Sequence, residues 1–252
     1  MDALIRFTTD SANWSGPNGI PTRLLEHLVL AVVAVLVATV IALPAGLYIG
    51  HTGKGQLLGI NIANIGRAIP SYAVMVMILP VALALAPTLG YDPLLGLSFL
   101  PIFLAMVLLA IPPILVGAYA GLRDVDRDLV ESARGMGLTE RQILTRIELP
   151  LASPIIVGGF RTAMLQVIAT ATIGAILSGG GLGRFIIDGI ARRNDGMLYF
   201  GVILVATLAI GVDVGMSWLQ RRLTPRGLRP GAAPRPDSSV SGDTAPAATS
   251  AA

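Results

Sequence analysis

Few residues in this chain have the chemistry of catalysis, and their spacing excludes most reactions. There is no Cys, so thiol nucleophiles and thiolate metal sites are out. The two histidines, His27 and His51, flank the first long apolar run. If that run crosses a membrane they lie on opposite sides of it and cannot share a metal, so each reads as an interfacial histidine. No Ser/His/Asp set of plausible geometry is present. Gly53-Lys54-Gly55 lacks both the earlier Gly and the following Ser/Thr of a phosphate-binding P-loop. Gly179-Gly180-Gly181-Leu182-Gly183 has no β-strand expected before it and reads as a flexible turn. The expectation is a chain with no catalytic residues, no metal site and no nucleotide of its own.

Two charges interrupt apolar runs and are functional suspects for that reason. Arg161 sits ten residues beyond Leu151, where the apolar stretch leading into the fourth run begins, ~15 Å by helical rise. Asp213 sits eight residues before Arg221, the first charge past the fifth run, ~12 Å. The similar depths predict an ion pair; separate placement toward a cavity or the interface is the alternative. Aromatic residues are only 5% of the chain, too few for a rich cation-binding cage. Tyr72 and Tyr119 are the candidates for lining a solute path, with plain helix packing as the competing reading.

These residues sit in an oily chain. Of its 252 residues, 54% are hydrophobic and 13% charged, against about 25% charged in a soluble domain. The mean hydropathy is +0.74. Disorder of the whole chain and a disulfide scaffold are both excluded. The sequence pI of about 9.7 does not imply nucleic acid, because Lys54 is the one Lys and the Arg residues lie between apolar runs.

Crossing ~30 Å of hydrocarbon takes ~20 apolar residues in a helix. Five such runs predict an all-α integral membrane helix bundle of about five transmembrane helices. They are Leu28–Gly50; a helix from Leu57 to Ala86 kinked near Pro70; Leu97–Tyr119, with Pro112-Pro113 inside; Ile155–Leu177; and Met197–Leu219. The paired prolines remove backbone donors that lipid cannot replace, so that stretch should pack against other helices or line a cavity. Pro87 to Asp92 reads as a loop. Residues 1–23 form a polar segment without a cleavable signal. Residues 221–252 form a basic, Pro/Ala-rich tail, disordered beyond Gly231. Outside the spans, eleven Lys and Arg fall on one side of the alternation and five on the other. The richer side should be cytoplasmic, which places the N-terminus outside and the C-terminus inside.

Residues 121–150 change character, with five Arg and six Asp/Glu in a soluble, helical loop. A first helix is predicted from Asp128 to about Met136, presenting Ser132, Ala133 and Gly135 as small residues that let a partner approach closely. Gly137 permits a sharp turn. Thr139 is placed as the N-cap of a second helix over Glu140 to Ile147, which Pro150 ends. The product is a helix–turn–helix knuckle on the cytoplasmic side.

The spacing of Glu131, Ala133, Gly137, Ile147, Leu149 and Pro150 resembles the "EAA" loop of the permease subunits of ABC importers, written E-A-A-x3-G-x9-I-x-L-P. Ser132 stands where the second letter is usually Ala. Ile69-Pro70-Ser71, the Gly121 to Asp126 approach and the Ile173 to Gly183 stretch look like the glycine betaine/carnitine/choline branch of these permeases. The resemblance spans residues 24–220. Methionine-type permeases share the five spans and a similar Gly-rich stretch, and Arg67 stands where the branch has an uncharged polar residue.

The resemblance implies a type I ABC importer permease fold with a coupling loop over 121–150. It implies a separate cytoplasmic ATPase dimer carrying ATP and Mg, a second permease subunit and an extracytoplasmic substrate-binding protein. The cargo it implies is an osmoprotectant; a methionine-like amino acid is the alternative. An ion-gradient transporter would need intramembrane carboxylates and an internal repeat. Only Asp213 lies well inside a run, and no repeat is present.

Overall fold

The computed structural model describes residues 2–85, 88, 99–177 and 180–224. The disordered tail expected beyond Gly231 lies outside them, as does the loop expected at 87–92 apart from Thr88.

Helix α1 (Asp2–Thr9) precedes α2 (Ile20–Thr52), whose 33 residues would extend ~50 Å. That exceeds the hydrocarbon thickness, so α2 is long enough to span it with residues to spare. Gly53, at φ 75°, closes α2 and donates its N–H to Ile49 O.

The second expected span is not one kinked helix. It is two helices, α3 (Gln56–Ala68) and α4 (Ser71–Leu85), parted at Ile69-Pro70. Ile69 is extended, with ψ 126°, because the Pro70 ring excludes the helical region for the residue before it. Long unbroken helices carry the other four spans: α2, α5 (Phe99–Arg123), the helical run over 140–177, and α10 (Asp195–Leu223). All are longer than expected. Polar residues at helix ends, such as Arg123 and Asp195, continue the backbone hydrogen bonding past the apolar stretch.

The knuckle follows α5 as α6 (Arg127–Gly135) and the single turn α7 (Glu140–Ile143). A π turn at Leu144–Glu148 then joins α8 (Leu149–Gly174). Pro150 therefore does not end the second knuckle helix. It falls in the first turn of α8, where a missing N–H is tolerated. After a 3₁₀ turn at Ala175–Leu177 comes α9 (Gly183–Ala191), and α10 completes the bundle.

Helix α5 lies at the centre, between α2 and α8, because small residues let all three backbones close in. Ala31, Ala34, Ala38 and Ala42 recur every three or four residues on α2 and are wholly buried. Gly46 and Gly50 extend that seam: added Cβ atoms would meet Leu115 O at 2.6 Å and Leu122 Cβ at 2.8 Å. On the other side of α5, a Cβ on Gly117 would lie 2.8 Å from Gly159 Cα, and one on Gly159 would lie 2.6 Å from Pro113 O. Pro112 and Pro113 are buried there, with Pro112 against Gly66 of α3. The paired prolines thus pack against neighbouring helices and leave α5 continuous.

At the end of the bundle away from the knuckle, Phe7, Phe185 and Phe200 stack edge-on and tilted, with centroids 5.4–6.1 Å apart. They tie α1, α9 and α10 together. Helix α10 is otherwise little buried within this chain: 6% of its most apolar window is covered.

A side chain at the α5–α8 crossing has nowhere to go. Gly159→Val should destabilise the detergent-solubilised protein by about 1–3 kcal/mol, read as a lowered melting temperature. Gly211→Ala, where a Cβ meets nothing within 4 Å, should leave the melting temperature unchanged or raise it.

Candidate functional site

The knuckle is built by local hydrogen bonds that its sequence dictates. Asp126 caps α6 by accepting the Asp128 N–H at 2.9 Å. At the other end Gly137 takes φ 86°, and the N–H groups of Gly137 and Leu138 donate to Arg134 O and Ala133 O. This is a Schellman closure, and Leu138 turns inward to complete it. Thr139 and Gln142 then form a reciprocal capping box: the Gln142 N–H donates to Thr139 Oγ1 and the Thr139 N–H to Gln142 Oε1. Two helix termini are fixed within five residues, so the turn is rigid.

Packing divides the knuckle into two faces. Leu122, Val125, Val130, Ala133, Ile143, Ala152 and Ile156 form a buried cluster between it and the bundle. Ile147 and Leu149 pack partly against that cluster, and Pro150 is exposed. Glu131, Ser132, Gly135 and Gly137 are exposed beside Leu129 and Met136. Ala133 is 1% exposed, so it cannot present a small surface to a partner. It follows Val130 by one helical turn and shares its inward face. Arg134 and Glu140 join the two knuckle helices by a bidentate pair at 2.8 and 3.1 Å, and the Glu140 carboxylate raises the Arg134 guanidinium pKa further above its usual value.

His51 does not sit loosely at an interface. Its Nδ1 lies 2.5 Å from Glu148 Oε2, and its Nε2 3.3 Å from Glu140 Oε2. Glu148 is 1% exposed. His27 is also buried: Nδ1 accepts the Leu182 N–H at 3.3 Å. Beside it Glu26, paired with Arg23, accepts the Gly181 N–H at 2.9 Å. The Gly180–Gly183 segment is therefore pinned to α2 rather than loose; Gly179 lies outside the described residues, as does Ser178. The sequence signal for Glu148 was available, as one carboxylate set between Ile147 and Leu149-Pro150. The register that turns it inward was not, because a π turn has no sequence signature of its own.

Arg161 and Asp213 meet in a bidentate pair: Nε donates to Oδ1 at 2.6 Å and Nη2 to Oδ2 at 2.7 Å. Two further polar contacts join α8 to α10 nearby. Gln220 donates to Pro154 O at 2.8 Å, and Ser153 Oγ lies 3.0 Å from Leu223 O. Tyr72 is exposed at the start of α4 and Tyr119 half-buried on α5. No ring contact joins them among the described residues. Nor is there any group of three or more His, Cys, Asp or Glu among the described residues that could hold a metal.

The model of the binding-protein-dependent transport system inner membrane component family matches residues 38–226. The chain is 32% identical over 204 residues to a choline transport system permease protein, OpuBB, of Bacillus subtilis (strain 168), covering 81% of this chain and 88% of that one. It is 35% identical over 203 residues to a carnitine transport permease protein, OpuCD, of Listeria monocytogenes, covering 79% and 84%. In fold it is similar to a subunit of an inward-facing MetNI methionine ABC transporter, with TM-score 0.71, 22% identity and coverage of 82% and 96%. The chain belongs to the family of binding-protein-dependent transport system inner membrane components. It is a multi-pass membrane permease of the type I ABC importer fold, a transport component.

Separating the Arg161–Asp213 pair leaves a lone charge inside a membrane helix. Arg161→Asp and Asp213→Arg should each lower the amount of folded permease recovered from membranes several-fold, measured by size-exclusion chromatography. The double exchange should recover more than either single change.

Proposed function

We propose that this chain forms the translocation path of an ABC importer for a small quaternary-amine osmoprotectant of the choline, carnitine and glycine betaine type. Residues 24–220 are its permease domain, with the coupling loop at 121–150, an extracytoplasmic segment at 1–23 and a cytoplasmic tail at 221–252. The N-terminus lies outside and the C-terminus inside, the arrangement that the Lys and Arg distribution favours. One observation carries the mechanism: the helix leaving the Thr139 capping box runs through Pro150 into the span that ends near Leu177. A push on the knuckle is thereby a push on α8. The relatives named for choline and carnitine transport support the cargo.

In this reading a cytoplasmic ATPase dimer, which carries ATP and Mg, docks on the exposed knuckle face of Glu131, Ser132, Leu129 and Met136. Gly137 sets the angle of that face, while Ile147, Leu149 and Pro150 bed the following turn against the bundle. A second permease subunit supplies the rest of the wall, since so few helices close no conduit alone. An extracytoplasmic binding protein delivers the cargo. ATP-driven closure of the ATPases moves the knuckles, rocks the bundles and opens the cavity outward; hydrolysis resets it inward. Arg161 and Asp213 hold α10 to α8 during that motion, and Tyr72 and Tyr119 are candidate path residues. The chain itself catalyses nothing.

Glu131→Ala combined with Gly137→Val should abolish co-purification of the ATPase while the permease still elutes as a folded membrane protein. A branched side chain at φ 86° alone strains the turn by about 1–2 kcal/mol. Undiminished ATPase recovery would contradict the docking assignment.

A further inference from the structure

The end of α2 is built into the knuckle. Its last turns carry Gly50 against Leu122, and a Cβ on Gly53 would fall 2.5 Å from the Arg123 guanidinium. His51, between them, faces the far side of the loop, with a carboxylate at each ring nitrogen: Glu148 at 2.5 Å and Glu140 at 3.3 Å. Glu140 in turn holds Arg134 of α6. One imidazole thus joins the first span, the first knuckle helix through Glu140 and Arg134, and the turn that leads into α8 through Glu148.

Glu148 shows that this junction is specified. A carboxylate with 1% exposure is costly without a partner. The π turn at Leu144–Glu148 is what brings it inward, since one residue inserted in a helix rotates the downstream side chains by about 100°. Such turns are rare within helices, and the local return of this one is the bond to His51. An apolar residue at position 148 would fill the same site with no need of His51.

We infer that His51 is a positioning residue for energy coupling: it makes α2 move with the knuckle, so that the motor's push reaches the first span as well as α8. This rests on the permease reading above. Without the tie the knuckle still docks and the ATPase still turns over, because the exposed docking face is untouched. The displacement then fails to reach α2, and hydrolysis proceeds without uptake.

The test uses the complete complex of permease, ATPase and binding protein in proteoliposomes, with radiolabelled choline as the probe. The quantity read is choline taken up per ATP hydrolysed. His51→Ala should lower that ratio about tenfold with the hydrolysis rate little changed. His51→Gln, which can still donate to Glu148, should recover most of it. The apolar pair His51→Leu with Glu148→Leu removes the buried charge as well as the tie; it should assemble normally and remain uncoupled. A wild-type ratio in His51→Ala or in the apolar pair would overturn the inference, as would failure of the apolar pair to assemble, since the contact would then serve folding alone. If the unaltered complex takes up no choline on ATP, the permease reading and its cargo fall first, and the inference with them. A failure confined to the variants leaves that reading standing.

Discussion

Within hydrocarbon a polar backbone group has no solvent to turn to, so a helix that crosses a membrane must stay hydrogen-bonded along its length. Much of this molecule depends on how it meets that demand at its prolines. Pro112 and Pro113 are buried against α3 and α8, and α5 remains one helix across them. At Pro150 the chain widens into a π turn, with Leu149 donating to Leu144 O, and the helix carries on. Pro154, one turn later, cannot donate to Pro150 O, and Ser153 Oγ lies 2.9 Å from that carbonyl. At Pro70, by contrast, the helix parts, where α3 is half polar and packs on α5. Continuity at Pro150 joins the knuckle to a membrane span as one mechanical piece.

The knuckle is stiff for a related reason. Its two short helices would be marginal alone. They hold because each terminus has a dedicated partner and because Val130, Ala133 and Ile143 seal the inner face against Leu122, Ala152 and Ile156. The outward side is a mixed surface of Glu131, Ser132 and Gly135 flanked by exposed Leu129 and Met136, suited to another protein. Three polar links, at Arg161–Asp213, Pro154–Gln220 and Ser153–Leu223, fasten the last helix to α8. These contacts connect α10 to the helix that leaves the knuckle.

Much of this was legible in the chain. Apolar run length located four of the spans, and the Gly137 and Thr139 signals located the turn, because both depend on local conformational preference. The similar depths of Arg161 and Asp213 made a contact between them one of two readings. The illegible features depend on register and on distant contacts. Nothing near Pro150 reveals that a π turn will carry the helix past it. Ala133 looks like a surface residue until Val130 shows which face is inward. His51 and Glu148 are 97 residues apart, and only the crossing of α2 with the loop unites them. His27 and Gly181 are united in the same way.

The central claim is that the knuckle and α8 move as one body. The chain has no Cys, so two spin labels can be placed cleanly, at the exposed positions Arg141→Cys on the knuckle side of the π turn and Thr162→Cys within α8. Along a helix these positions are about 31 Å apart, within reach of pulsed electron paramagnetic resonance. In the complex with its ATPase, that distance should stay the same with and without bound ATP, while the distance between the knuckles of the two permease subunits changes. A change of several ångström between the two labels in one chain would mean that the π turn bends under load, and the rigid coupling described here would be wrong.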